Sequence, residues 1–147
     1  MKISAIGLAY LRAVEGRSLE TYICPAGKPT IGHGHTGSEA YLGNKITAKQ
    51  AIDLLLADLI PVEGAITDCV TFKLNQNQFD ALAGLIFNIG VEAFKDSTLL
   101  KKLNDGNIIE AASEFSRWVF VTADGVKKKS KGLIIRRCKE ALLFLRD

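Results

Sequence analysis

Ile3, Ile6, Tyr10, Leu11 and Val14 recur at the spacing of one helix face. Ser4 stands where an N-cap belongs, Ile3 and Leu8 are placed as a hydrophobic staple, and Gly16 is placed to end the helix. The pattern predicts a first helix whose last turn holds Glu15. Two strand-like runs follow, Thr21-Tyr22-Ile23-Cys24 and Thr30-Ile31-Gly32-His33-Gly34-His35. Pro25-Ala26-Gly27-Lys28-Pro29 between them is a turn signal, so a β-hairpin is expected, with a third short strand before Gly43.

Beyond residue 46 the period changes to that of helices. Thr47 and Gln50 form a capping-box pattern ahead of Ala51, Leu54, Leu55 and Leu59, and Pro61 is expected to end or kink that helix. Asn75 and Gln78 repeat the pattern ahead of Phe79, Leu82, Ala83, Ile86 and Phe87, up to Gly90. Further helices are expected at about 97–106, 107–118 and 132–146, with Ala123-Asp124-Gly125 as a loop. The fold class is therefore α+β. A single domain over 1–147 is expected: 1–60 carry the first helix, the small sheet and the start of a linking helix, and 61–147 form a larger helical lobe. A ligand would be expected in a cleft between two such lobes.

The 147 residues are 48% hydrophobic and 24% charged, an ordinary globular balance without repeats or low-complexity segments. The net charge is only +3, yet Lys127, Lys128, Lys129, Lys131, Arg136, Arg137 and Lys139 follow one another without an acidic residue. That run reads either as a solvated helix face or as a patch that attracts a polyanion. The N-terminus does not read as a signal peptide, and no window has the length of a membrane span, so a cytoplasmic origin is expected. Cys24, Cys69 and Cys138 are odd in number and widely spaced, which fits reduced thiols and no zinc site.

Glu15 is the candidate acid. A carboxyl at a helix C-terminus faces the negative end of the helix dipole, which favours the protonated form that glycoside hydrolysis needs. Its bland alternative is an exposed glutamate at a helix end. Cys24 and Thr30, on opposite arms of the expected hairpin, are the nearest candidates for a second group, the first as a thiol and the second as a hydroxyl that holds water. On residues alone these remain open.

Glu15, Cys24 after eight intervening residues and Thr30 after five more, followed by Ile31-Gly32-His33-Gly34-His35-Thr36-Gly37, resemble the active-site signature of the phage-type lysozymes, the tailed-phage endolysins of glycoside hydrolase family 24. Their pattern has aspartate, or sometimes cysteine, at the middle position. The resemblance continues through Leu74–Leu82, Phe87-Asn88-Ile89-Gly90, Ser97-Thr98-Leu99, Arg117-Trp118, and Gly132-Leu133 with Arg136-Arg137. It implies a lysozyme-like fold and cleavage of the β-1,4 bond between N-acetylmuramic acid and N-acetylglucosamine. Glu15 would be the general acid, Thr30 would position water, and Cys24 would stand in for the second carboxylate. Asn88, with Gly32 and His33, would meet substrate. Arg136 or its neighbour Arg137 would pair with the catalytic glutamate, and His35 would prop the sheet region against the helices. Trp118 reads as core.

The resemblance calls for no cofactor or metal. It implies peptidoglycan glycan strands as partner, a monomer without obligatory nucleic acid or membrane insertion, and a holin for release from the host cytoplasm. Three rivals stay open. A lytic transglycosylase would cut the same bond without adding water. A peptidase or amidase would use Cys24 with His33 or His35. A binding module would rely on the basic run alone.

Overall fold

A computed structural model describes all residues from Met1 to Asp147. Its elements are α1 (Ala5–Glu15), β1 (Ser18–Ile23), β2 (Pro29–Gly32), α2 (Ala48–Cys69), α3 (Gln76–Ile89), α4 (Val91–Lys95), α5 (Thr98–Asn104) and α6 (Ile108–Glu114). A 3-10 turn (Phe115–Arg117), β3 (Phe120–Ala123), β4 (Val126–Lys129) and α7 (Lys131–Phe144) complete the chain. This is an α+β architecture with two small antiparallel sheets, β1–β2 and β3–β4. The chain divides into two compact units, Ala9–Ile60 and Met1–Leu8 with Pro61–Asp147.

In the unit Ala9–Ile60, β1 and β2 pair through Tyr22 with Thr30 and Ile23 with Pro29, and an irregularity lies between Ser18 and Tyr22. The second arm is shorter than its sequence predicts. It stops at Gly32, and Ile31 and His35 then exchange backbone hydrogen bonds of 2.9 Å around a tight turn. Gly34 has φ +84° there, a conformation that a side chain with a Cβ rarely adopts. The third pairing comes after Gly43 rather than before it. It is a single bridge, Glu20 with Lys45, flanked by Thr21 N–H donating to Asn44 O and Ile46 N–H to Leu19 O. The capping box of α2 forms as its sequence pattern predicts: Gln50 N–H donates to Thr47 Oγ1, and Thr47 N–H to Gln50 Oε1. Leu11, Ile31, Ala51, Leu55 and Leu59 are the main buried apolar residues of this unit.

Pro61 does not end α2. The helix continues to Cys69, although proline lacks the N–H that would meet the Ala57 carbonyl. Val62, Ala65 and Ile66, just beyond it, are buried, and that packing offsets a cost of about 3 kcal/mol.

In the other unit, α3 packs on α7, and α5 on α6. Phe79, Leu82, Leu85 and Ile86 of α3 are fully buried, each contributing about 1.5–3 kcal/mol. Asn75 caps α3 in a complete capping box. Phe115 and Phe144 meet with ring centroids 5.4 Å apart. The helix expected over 107–118 ends at Glu114 and tightens into the 3-10 turn, and the short α4 has no counterpart in the sequence reading. The expected loop at Ala123-Asp124-Gly125 is instead the turn of the β3–β4 hairpin. Asp124 (φ 51°) and Gly125 (φ 75°) take the two left-handed positions that a two-residue hairpin turn demands. The basic run is therefore not one helix face. Lys127–Lys129 are exposed on β4, Lys131 and Lys139 are exposed on α7, and Arg136 and Arg137 are buried. No helix is long and apolar enough to cross a membrane.

Candidate active site

Glu15 is the last residue of α1 and is half-buried. His33 ties down the chain that follows it. Its ring is buried, and Nδ1 lies 2.6 Å from the Gly16 carbonyl oxygen. A carbonyl only accepts, so Nδ1 carries the proton. Through Nδ1 this ring ties the end of β2 to the end of α1. Gly34 comes close to the acid itself: a Cβ built there would lie 3.5 Å from Glu15 Oε2. Gly32 packs against α2, where a Cβ would stand 3.5 Å from Ala51.

Cys24 lies one residue beyond β1, in the turn, not on a strand arm. Its N–H donates to Lys28 O at 2.9 Å, and its carbonyl accepts from Gly27 N–H at 2.8 Å. The thiol is free and half-buried. The Lys28 backbone N–H, and after it the Thr30 hydroxyl, hold its pKa below the ordinary thiol value, with burial opposing. Thr30 is 2% exposed, and Oγ1 donates to Lys28 O at 3.0 Å. The Cys24 N–H and the Thr30 hydroxyl thus both donate to the Lys28 carbonyl.

His35 bridges the turn after β2 and α2. Nδ1 lies 2.8 Å from Asp58 Oδ2, and Nε2 lies 2.7 Å from Glu39 Oε2. Burial of the ring opposes its charge, but the bonds to Asp58 and Glu39 outweigh it and raise its pKa above the imidazole norm. Gly37 makes room for the ring, since a Cβ there would lie 2.4 Å from Nε2.

In the unit built on α3 and α7, Arg136 Nε donates to Glu140 Oε1 at 3.0 Å and Nη2 to Gly84 O at 3.0 Å. Arg137 Nη2 donates to Asn88 Oδ1 at 2.9 Å, and its Nε stands 2.9 Å from Glu140 Oε2. Glu140 is fully buried and was missed from the sequence. Its signal was there: a carboxylate three and four residues after two arginines on one helix. Asn88 also lines a pocket of about 460 Å³ with Arg117, Trp118, Phe120, Lys127 and Leu133. Trp118 is half-buried on that wall and not in the core, contrary to the sequence reading. Arg117 is steadied by the buried Glu114, which also holds Lys102 at 3.0 Å. No group of three His, Cys, Asp or Glu side chains is arranged to hold a metal ion.

These placements can be set beside known proteins. The endolysin of Salmonella phage P22 is 44% identical over 152 aligned positions, covering 99% of both chains. The solved endolysin of Escherichia coli O157:H7 phage FAHEc1 superposes with a TM-score of 0.94 at 40% identity, covering 99% of this chain and 94% of that one. The muramidase domain of SpmX from Asticaccaulis excentricus superposes with a TM-score of 0.93 at 40% identity, covering 99% of each chain. Residues 12–140 match the family described as phage lysozyme, and the chain belongs to that family of peptidoglycan-cleaving glycoside hydrolases.

Proposed function

We propose that the chain is an endolysin that hydrolyses the β-1,4 bond between N-acetylmuramic acid and N-acetylglucosamine, with Glu15 as general acid. The observation that carries this reading is the Glu15 carboxylate beside the left-handed turn at Gly34, in the same compact unit as Cys24 and Thr30, which both donate to the Lys28 carbonyl. Glu15, protonated, gives its proton to the leaving glycosidic oxygen as the bond to the anomeric carbon breaks. Water attacks that carbon and loses a proton to the Cys24 thiolate. The product is a reducing sugar of inverted configuration; the thiol then gives its proton to solvent and the Glu15 carboxylate takes one back, which resets both groups. Thr30, almost wholly buried, acts through Cys24 by donating to its sulfur when ionised.

By the same reading the enzyme works as a monomer on glycan strands, without nucleic acid or membrane insertion. It waits in the host cytoplasm until a holin opens the membrane. The decisive experiment is mass spectrometry of fragments released from purified peptidoglycan by the native chain and by Glu15→Gln. Reducing-end muramic acid, reduced by about 10²-fold or more in the variant, is expected. Anhydro-muramic ends would transfer the chain to the lytic transglycosylases. Undiminished release by Glu15→Gln would remove Glu15 from its role, and cut peptides would favour the cysteine.

A further inference from the structure

Glu140 is 0% exposed, and a buried carboxylate persists only when it is paired. Its Oε1 accepts from Arg136 Nε at 3.0 Å and from Arg137 Nη2 at 3.4 Å, and its Oε2 stands 2.9 Å from Arg137 Nε. Arg136 extends from this pair to the carbonyl of Gly84 on α3, and Arg137 to Oδ1 of Asn88, four residues further along α3. The two arginines therefore brace α7 against α3 at consecutive turns, with Glu140 as their common counter-charge.

Arginine has donors and no acceptor. The end of the Asn88 amide that faces Arg137 must be its oxygen, so Nδ2 is the end left for a ligand. Asn88 is exposed and lines the 460 Å³ pocket, so the choice of amide end decides what the pocket wall recognises. Without the brace the amide can turn over and offer either end. With it, the wall offers an N–H donor, which selects an acceptor oxygen such as the carbonyl of an N-acetyl group.

We propose that Glu140 is a positioning residue for substrate recognition: by holding Arg137 it fixes the Asn88 amide with Nδ2 toward the glycan. This rests on the reading that Asn88 touches glycan. The readout is steady-state kinetics on solubilised peptidoglycan strands for Glu140→Gln, Asn88→Ala and the double variant, in a double-mutant cycle. Each single substitution is expected to raise KM by about three- to ten-fold with kcat near native, the scale of one hydrogen bond. The double variant is expected to be no worse than Asn88→Ala alone. In spectra of Glu140→Gln, the Asn88 side-chain amide peaks are expected to move.

Multiplying effects in the double variant would show that Glu140 works independently of Asn88 and would overturn the proposal. An unchanged KM in Glu140→Gln beside a raised KM in Asn88→Ala would do the same. An unchanged KM in Asn88→Ala would instead remove the premise that Asn88 meets glycan. Should Glu140→Gln fail to fold, Arg137→Lys takes its place in the cycle. It keeps a cation opposite Glu140 and loses the fork that reaches Asn88. The same non-additivity with Asn88→Ala is expected, and additivity would overturn the proposal.

Discussion

Thr30 has one hydroxyl proton and two neighbours that can take it, the Lys28 carbonyl and the Cys24 sulfur. With the thiol protonated, the proton goes to Lys28. With the thiol ionised, rotation toward sulfur stabilises the anion, in line with the lowered thiol pKa. A thiolate base predicts a rate that rises with pH through the thiol's pKa, below the usual value of about 8.5. Replacing Cys24 by Asp moves that limb toward the carboxylate range, and Cys24→Ser removes it while lowering kcat by about 10²-fold. A pH–kcat profile of the three proteins checks this, and an unmoved limb would exclude the sulfur from the step. The stretch from Glu15 to Thr30 could be read as a motif because its spacing is local. The anchoring role of His33 was hidden for the opposite reason. Its ring meets a carbonyl 17 residues earlier, a contact that no spacing announces. Glu140 stayed hidden because its importance lies in being buried, which the charged stretch around it conceals.

At the scale of elements, the His35 clamp joins the turn after β2 to α2 through Asp58 and to the loop before α2 through Glu39. The folded pKa of His35 is raised, so its contribution is full below the unfolded value of about 6.5 and is lost as pH climbs through the folded one. The pKa of Glu39 is lowered, chiefly by the His35 hydrogen bond. Its contribution is full above the unfolded value of about 4.3 and is lost as pH falls through the folded one. The melting temperature of the native chain should therefore exceed that of His35→Gln most between these limits, and the two should converge on either side. Gly37→Ala drives a methyl into the ring and should cost about 1–3 kcal/mol in the same window. Pro61→Ala should act oppositely. It restores a donor inside α2 at an exposed position, and the melting temperature should rise by several degrees. The helices with capping boxes were legible because a cap is a local signal. The β3–β4 hairpin was not, because all eight strand residues are exposed and leave no alternation to read. Only Asp124-Gly125 marked it.

For the whole molecule, the surplus of three positive charges is small, so the distribution of charge matters more than the total. Burial of Arg136 and Arg137 against Glu140 removes two of the seven cations in the basic run from any outer partner. The exposed lysines that remain are densest at Lys127, Lys128 and Lys129, and Lys127 Nζ sits 4.5 Å from the Phe120 ring centre beside the Asn88 pocket. Replacing these three by alanine brings the formal charge from +3 to 0, and so does replacing the exposed Lys45, Lys73 and Lys101. The two variants have equal net charge and differ in where it was lost. A field set by total charge would slow attack on an anionic wall equally in both. A local patch would make the hairpin variant the slower. We expect the hairpin variant to show the larger rise in KM on peptidoglycan near 0.01 M salt, where the screening length is about 30 Å. The difference should close by 0.15 M, where that length falls to about 8 Å. Equal behaviour across the salt series would assign the effect to net charge alone and leave the hairpin without a part in wall recognition.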